Sequence, residues 1–307
     1  MRVYTGLDVQ SDFGGRFPWK SKLVQVGDGL RQAVIDEGPR DSKATFLLLH
    51  GNPTWSYLWR EFIRRLSPRY RVIAPDHIGF GRSDKPRDPK AYSLQRHIDN
   101  LGKLLDELQA ERVVPVIEDW GGPIGMGWAT QQPERVKGVV VLNTWAFVRE
   151  PKMKLPWLFR RLVLGAGGWK RTVQDNLFVE WALGRGGPRK LTEDELNPYR
   201  APFPTPDDRV GVGRFPQLIP QTKDQLHESW ATMAGIEDHL MTLREKPALI
   251  VWPLKDRAFR KPQLDRWVRT FAQVDGPWLL PDAGHYVPED AAGPTLDHLE
   301  RWAAERL

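Results

Sequence analysis

Three side chains stand where a chain can do chemistry: Asp119, Asp256 and His285, in the order acid, acid, histidine. Asp119 follows the apolar run 113–117 and precedes Trp120-Gly121-Gly122, which reads as a sharp strand-to-helix turn. Such a turn lifts its central side chain above a sheet, and the glycines after it let helix and strand pack closely. Serine is usual at that point, but this chain has aspartate, and no G-x-S-x-G occurs anywhere. A carboxylate has a reference pKa of about 3.9, so it is ionised at neutral pH and attacks carbon without a base. It displaces a leaving group and becomes an ester. A base is then needed only to activate the water that hydrolyses that ester. His285, in Asp282-Ala283-Gly284-His285-Tyr286 after an apolar run, is placed to be that base. Asp256, after the run 247–253, is placed to orient the imidazole. Other readings stand beside these. Alone, D-W-G-G reads as the N-cap of the next helix, and Asp256 as a loop residue capping the helix near Arg260. The end of run 136–143 is the other location for an acid, but it carries Asn143.

Asn52 lies in His50-Gly51-Asn52-Pro53, on a loop after another apolar run. Its backbone N–H and that of Trp120 form the natural pair for an oxyanion hole. Their side chains, an indole N–H and an amide NH2, are uncharged donors suited to a soft monovalent anion that must later leave. Turn chemistry before Pro53 and core packing are the competing readings for Asn52 and Trp120. Of the remaining histidines, His97, His227, His239 and His298 sit in helical or loop contexts that point to surface roles.

These residues need a scaffold. Residues 22–36 read as two strands around Gly27-Asp28-Gly29. The runs 45–49, 71–76, 113–119 and 136–143 read as buried strands, separated by helical patterns at 55–66, 99–108 and 122–130. This βαβ alternation predicts an α/β fold, a mostly parallel sheet flanked by helices. Strand 247–253, helix 261–273, strand 277–283 and helix 287–306 resume the pattern after a break. The break, rich in Pro, Gly, Trp and charge, predicts a helical cap over 147–232, inserted between core halves 1–146 and 233–307. Ligands of such sheets bind at the carboxyl ends of strands, where Asp119, Asp256 and His285 fall.

Composition sets the outer limits. The 307 residues are 40% hydrophobic and 27% charged, as in an ordinary globular protein. No apolar run approaches the roughly 20 residues of a membrane span, and the N-terminus lacks the apolar stretch of a secretory signal, so a cytoplasmic protein is expected. The absence of cysteine excludes thiolate nucleophiles, disulfides and Cys-based metal sites. The net charge is +6, but the basic residues are spread along the chain without a block, so nucleic-acid binding is not expected. Fourteen tryptophans suit an apolar pocket as well as a core.

The segments HGNPTWSYLWR (50–60), Ala74–Pro86, EDWGGPIG (118–125), PERVKGVVVLNTW (133–145), the strand and loop to Asp256, and DAGHYVPED (282–290) resemble the haloalkane dehalogenases of the α/β-hydrolase superfamily. The resemblance runs through nearly the whole core and is most specific at Asp-Trp-Gly. It implies the α/β-hydrolase fold, Asp119 as nucleophile, His285 as base, and Trp120 with Asn52 as halide ligands. An Asp at 256 combined with Asn52 looks like the third subfamily, which implies homo-oligomers and slow dehalogenation. No metal or organic cofactor is implied. The substrate would be small, apolar and halogenated, and a halide ion would be released. Leu158, Phe159, Leu162, Leu177, Phe178, Trp157 and Trp181 would form the cap over the pocket. One departure is Glu118, where relatives often carry His or Gln. Strand alternation is expected to point Glu118 away from the pocket. The β-lactone decarboxylases of bacterial olefin synthesis resemble the chain in the same residues. Epoxide hydrolases are a weaker match, since Tyr199 is the only tyrosine in the cap region. A non-catalytic hydrolase-fold binding protein stands as the alternative from another class.

Overall fold

The computed structural model describes residues 3–4, 12–149, 155–220 and 225–307. Its main sheet has eight strands: β1 Lys22–Gln25, β2 Arg31–Glu37, β3 Thr45–Leu49, β4 Arg71–Pro75, β5 Val113–Asp119, β6 Val139–Thr144, β7 Pro247–Pro253 and β8 Gln273–Leu280. Their order is β1-β2-β4-β3-β5-β6-β7-β8. β2 pairs antiparallel with β1 and with β4, and every pairing from β4 through to β8 is parallel. β3 through β6 are buried along their whole length, as their unbroken apolar runs require of strands covered on both faces.

Helices α1 Arg60–Leu66, α2 Leu94–Glu107, α3 Gly121–Gln131, α8 Lys261–Thr270 and α9 Ala292–Arg306 accompany these strands. α2 shows why. Ser93 caps it by accepting from the Arg96 amide, and Leu94, Ile98, Leu101, Leu104 and Leu105 bury one stripe. Each such side chain contributes about 1.5–3 kcal/mol when fully buried. That stripe packs on α3, whose own residues are buried nearly all round.

Between β6 and β7 the described residues form helices and no strand: α4 Leu177–Arg185, α5 Glu193–Arg200, α6 Val210–Gln217 and α7 Trp230–His239, with π-turns at Arg160–Leu164 and Lys170–Gln174. The expected cap boundary at 232/233 falls inside α7, which packs on core helix α3. Parts of the expected cap, 150–154 and 221–224, lie outside the described residues. No helix among the described residues is long and apolar enough to cross a membrane.

Several element boundaries differ from the sequence reading: the helix expected at 99–108 starts at Leu94, the strand expected at 136–143 is Val139–Thr144, and the helix expected at 261–273 ends at Thr270. The strand expected at 277–283 is β8, Gln273–Leu280, with an irregularity between Asp275 and Trp278. Pro277 carries no N–H for the ladder, and it masked the half of the strand before it. The final helix, expected as one element, breaks at Ala291 into Val287–Asp290 and α9.

Candidate active site

β5 ends at Asp119 with a φ of +47°, and α3 begins two residues later. A non-glycine residue in this left-handed region is strained and must be held by its surroundings. Here the Asn52 amide donates to Asp119 Oδ1 at 3.0 Å, and Thr144 Oγ1 donates to the Asp119 carbonyl at 2.5 Å. Two glycines make the approach feasible. A Cβ on Gly51 would lie 2.3 Å from Asp119 Oδ1, and one on Gly122 would lie 2.0 Å from Thr144 Oγ1.

His285 comes from the loop after β8, and its amide donates to the Gly186 carbonyl at 2.7 Å. Nδ1 lies 3.1 Å from Asp256 Oδ2, and Nε2 lies 3.6 Å from Asp119 Oδ2. Phe259 stacks on the imidazole, with centroids 5.8 Å apart. Asp256 is fixed in turn: Oδ1 accepts from the Ala258 amide at 2.7 Å, and Oδ2 accepts from Asn143 Nδ2 at 2.9 Å. Thus Asp119, His285 and Asp256 form one line at the carboxyl ends of β5, β8 and β7. Asn143, set aside in the sequence as uncharged, proves to be the clamp on the acid. It also donates to the His285 carbonyl at 2.5 Å. Its place at the end of a strand beside β5 was the signal available.

Burial raises the Asp119 carboxyl above the usual carboxylate range. The charge of His285 and the amides of Asn52 and Trp120 pull it the other way. Burial works against the charged form of His285, yet Asp256, Glu118 and Asp119 outweigh it and hold the imidazole up at about 10. The resting histidine is therefore an imidazolium set between carboxyl groups.

Glu118 points away from the pocket, as strand alternation predicts, and makes a contact that alternation did not foresee. Its Oε1 lies 3.7 Å from His285 Nε2. The register between β5 and β6 shifts between Ile117 and Asp119, so the pleat that would carry Glu118 clear of the cluster is interrupted there. The side chain is fully buried, and neither carboxyl oxygen has a hydrogen-bond partner among the described residues. Burial, with the charges of Asp119 and Asp256 adding to it, holds this carboxyl well above its ordinary range. His97 corrects an expectation: it is buried rather than superficial, packed against Phe215 at 4.8 Å and His77 at 6.0 Å. Phe215 of α6 covers it, a depth that helical periodicity does not reveal.

A cavity of about 550 Å³ opens over Asp119, His285, Asn52 and Trp120. Trp120 meets Trp145 and Phe215 edge-on, at 5.1 and 4.9 Å. Asn52 Nδ2 donates to the Val212 carbonyl on α6 at 3.1 Å, which uses one of its two amide hydrogens. Of the expected cap residues, Leu158, Phe159, Phe178 and Trp181 line the cavity. Leu162 and Leu177 pack behind them, and Trp157 faces outward, 68% exposed. Tyr199 is not in the cavity; its hydroxyl donates to Glu289 at 2.7 Å.

Residues 44–292 match the family model of the alpha/beta hydrolase fold. The chain is 36% identical over 286 residues to a cis-3-alkyl-4-alkyloxetan-2-one decarboxylase of Xanthomonas campestris, with 89% of this chain and 92% of that protein covered. It is 34% identical over 280 residues to haloalkane dehalogenase 2 of Mycobacterium tuberculosis, covering 90% of this chain and 92% of that one. The structure of the tetrameric haloalkane dehalogenase DpaA from Paraglaciecola agarilytica superposes with a TM-score of 0.81 at 28% identity, covering 99% and 98% of the two chains. The chain belongs to the α/β-hydrolase fold family, in the group that holds the haloalkane dehalogenases.

Proposed function

We propose that this member of the group hydrolyses carbon–halogen bonds of small apolar haloalkanes, with Asp119 as nucleophile. The carrying observation is a carboxylate at the elbow, facing a 550 Å³ largely apolar cavity, with an imidazole 3.6 Å away that is backed by a second carboxylate. In the first step Asp119 attacks the carbon bearing the halogen. The carbon–oxygen bond forms as the carbon–halogen bond breaks, and Trp120 and the free hydrogen of the Asn52 amide take up the halide charge. In the second step water attacks the ester carbonyl carbon. His285, oriented by Asp256, takes a proton from the water and passes it to the departing alkoxide, while the amides of Asn52 and Trp120 hold the oxyanion. Alcohol, halide and one further proton leave.

The charges support this order. Before alkylation the negative Asp119 favours imidazolium. Once Asp119 is an ester that charge is gone, and the imidazole gives up its proton more readily and serves as base. No step calls for a metal or an organic cofactor. The helical segment 147–232 acts as the cap that excludes water from the cavity. A cytoplasmic location and a homo-oligomeric solution state complete the proposal, the latter readable by light scattering.

The test is halide release from 1,2-dibromoethane and 1-bromobutane by wild type and by Asp119→Ala. Release by wild type that vanishes in the variant supports the reading. A second reading, β-lactone decarboxylation, is favoured by a cavity larger than such small haloalkanes need and by the 36% identical relative. No halide from folded wild type, with turnover of a long-chain β-lactone, would replace the first reading by the second.

A further inference from the structure

The chain has 45 basic and 39 acidic residues, a net charge of +6. Residues 151–174 hold six Lys and Arg and no Asp or Glu, so this single stretch accounts for the whole excess. The cations are interleaved with apolar residues rather than run together. Where the stretch is described, from residue 155 onward, it presents both kinds to solvent. Trp157 is 68% exposed and Leu164 37%, with Arg160, Arg161 and Lys170 exposed beside them. The Arg161 guanidinium lies over the Trp157 ring at 5.4 Å. Arg171 is occupied differently: it donates to the carbonyls of Leu162, Arg161 and Ala166 and so ties the two π-turns together.

The same stretch forms one wall of the cavity mouth, through Leu155, Pro156, Leu158 and Phe159. Lys255 and Arg257, both exposed, line the mouth as well. Lys255 is paired with Asp282 at 2.7 Å. The mouth therefore carries the exposed Arg257 beside the Asp282-paired Lys255 and is flanked by an outward tryptophan, while the cavity behind it is largely apolar.

We propose that this face of the cap docks on an anionic lipid surface, with Trp157 and Leu164 at the headgroup level and Arg160 and Arg161 on the lipid phosphates and carboxylates, while Lys170 stays paired with Asp175 at 3.1 Å. Tryptophan favours that level because its ring is apolar and its N–H is wet. Each cation near an anionic leaflet adds attraction that fades within a Debye length. Charge complementarity selects this occupant, and the aromatic group beside the cations selects a lipid surface over a bare polyanion. Docking would bring the cavity mouth against the acyl boundary, where apolar substrates concentrate.

The experiment is co-sedimentation of the whole protein with vesicles of phosphatidylcholine, alone or with about 30% phosphatidylserine. The expected result is binding on the order of tenfold stronger to the anionic vesicles, released by about 0.5 M NaCl. Arg160→Glu combined with Arg161→Glu should abolish the preference, and Trp157→Ser should weaken binding to the same vesicles. Neither variant touches the cavity, so both keep wild-type melting temperature and turnover of a soluble substrate. Absence of binding, equal binding to neutral vesicles, or retention on DNA unaffected by Trp157→Ser would each overturn the proposal. Binding is read without turnover, so failure of the proposed reaction would leave this result standing.

Discussion

The molecule buries imidazoles in two places and treats them in opposite ways. At the elbow, His285 faces Asp256 on one ring nitrogen and both Asp119 and Glu118 on the other, and it is held protonated up to about 10. Behind the same loop, His50 and His77 pack tilted and His77 and His97 edge-on, with no carboxylate partner among the described residues. Burial pushes His50 down to about 3 and the other two well below their ordinary value. Hydrogen bonds fix the neutral forms. His50 Nε2 accepts from the His77 amide at 2.9 Å, so its proton sits on Nδ1, which donates to the Gly51 carbonyl at 2.8 Å. His77 Nε2 donates to the His50 carbonyl at 3.0 Å. Burial penalises charge equally in both places; the neighbours decide whether the proton stays. The trio supports the Gly51–Asn52 loop as packing, while the elbow cluster sets one imidazole among three carboxyl groups.

The strongest way to break this contrast is to remove the partner that keeps His285 charged. Asp256→Asn should slow ester hydrolysis about 10²–10⁴-fold while leaving alkylation largely intact. The alkyl-enzyme should then accumulate, visible as added mass on the intact protein, and an unmodified protein after incubation with substrate would contradict the assigned role. The second test is acid. The trio's pKa values are lowered in the fold, so its stability is intact above about pH 6.5 and is lost as pH falls below that. At pH 5.5 the trio together costs on the order of a few kcal/mol, measurable by urea unfolding at pH 7.5 and 5.5. His285, raised instead, gives its stability fully below about pH 6.5 and loses it only as pH climbs toward 10.

Glu118 supplies the mirror image. Its carboxyl is raised in the fold, so stability falls as pH rises above about 4.3. Glu118→Gln keeps the shape of the neutral acid and should gain about 2 kcal/mol at pH 8 relative to pH 5, compared by the same unfolding assay. The smallest effect belongs to His97, whose Nε2 has no partner among the described residues. His97→Phe should recover about 1.4 kcal/mol at pH 5.5 and nothing at pH 7.5, by the same urea titrations.

The convergence of Asp119, Asp256 and His285 was legible because each follows an apolar run, and β5 and β7 have the expected bounds. Glu118 stays out of the cavity as read, but its closeness to His285 was not legible, because period-two alternation holds only while the ladder is regular and here the register slips beside it. His97 was misread because periodicity tells which face of α2 is apolar but not that α6 lies over its polar neighbour. Trp157 looked like cap lining by type, yet its neighbours Leu158 and Phe159 turn inward and it turns out. β8 was misplaced because Pro277, a usual strand breaker, sits in its middle.

The cap's attachment carries its own consequence. Arg60 on α1 forms a two-pronged ion pair with Glu289 at 2.8 and 2.9 Å, Tyr199 on α5 donates to the same carboxylate, and Asn52 holds α6 through Val212. Of these, Tyr199–Glu289 and Asn52–Val212 join the core to the helical segment, while the Arg60–Glu289 pair lies within the core and is largely buried. Swinging the helical segment away as a rigid body would break both of these hydrogen bonds and uncover the buried ion pair that Tyr199 covers. The wall at Leu155–Phe159 takes part in neither tie, so side chains along it can be changed in width without disturbing α5, α6 or the elbow.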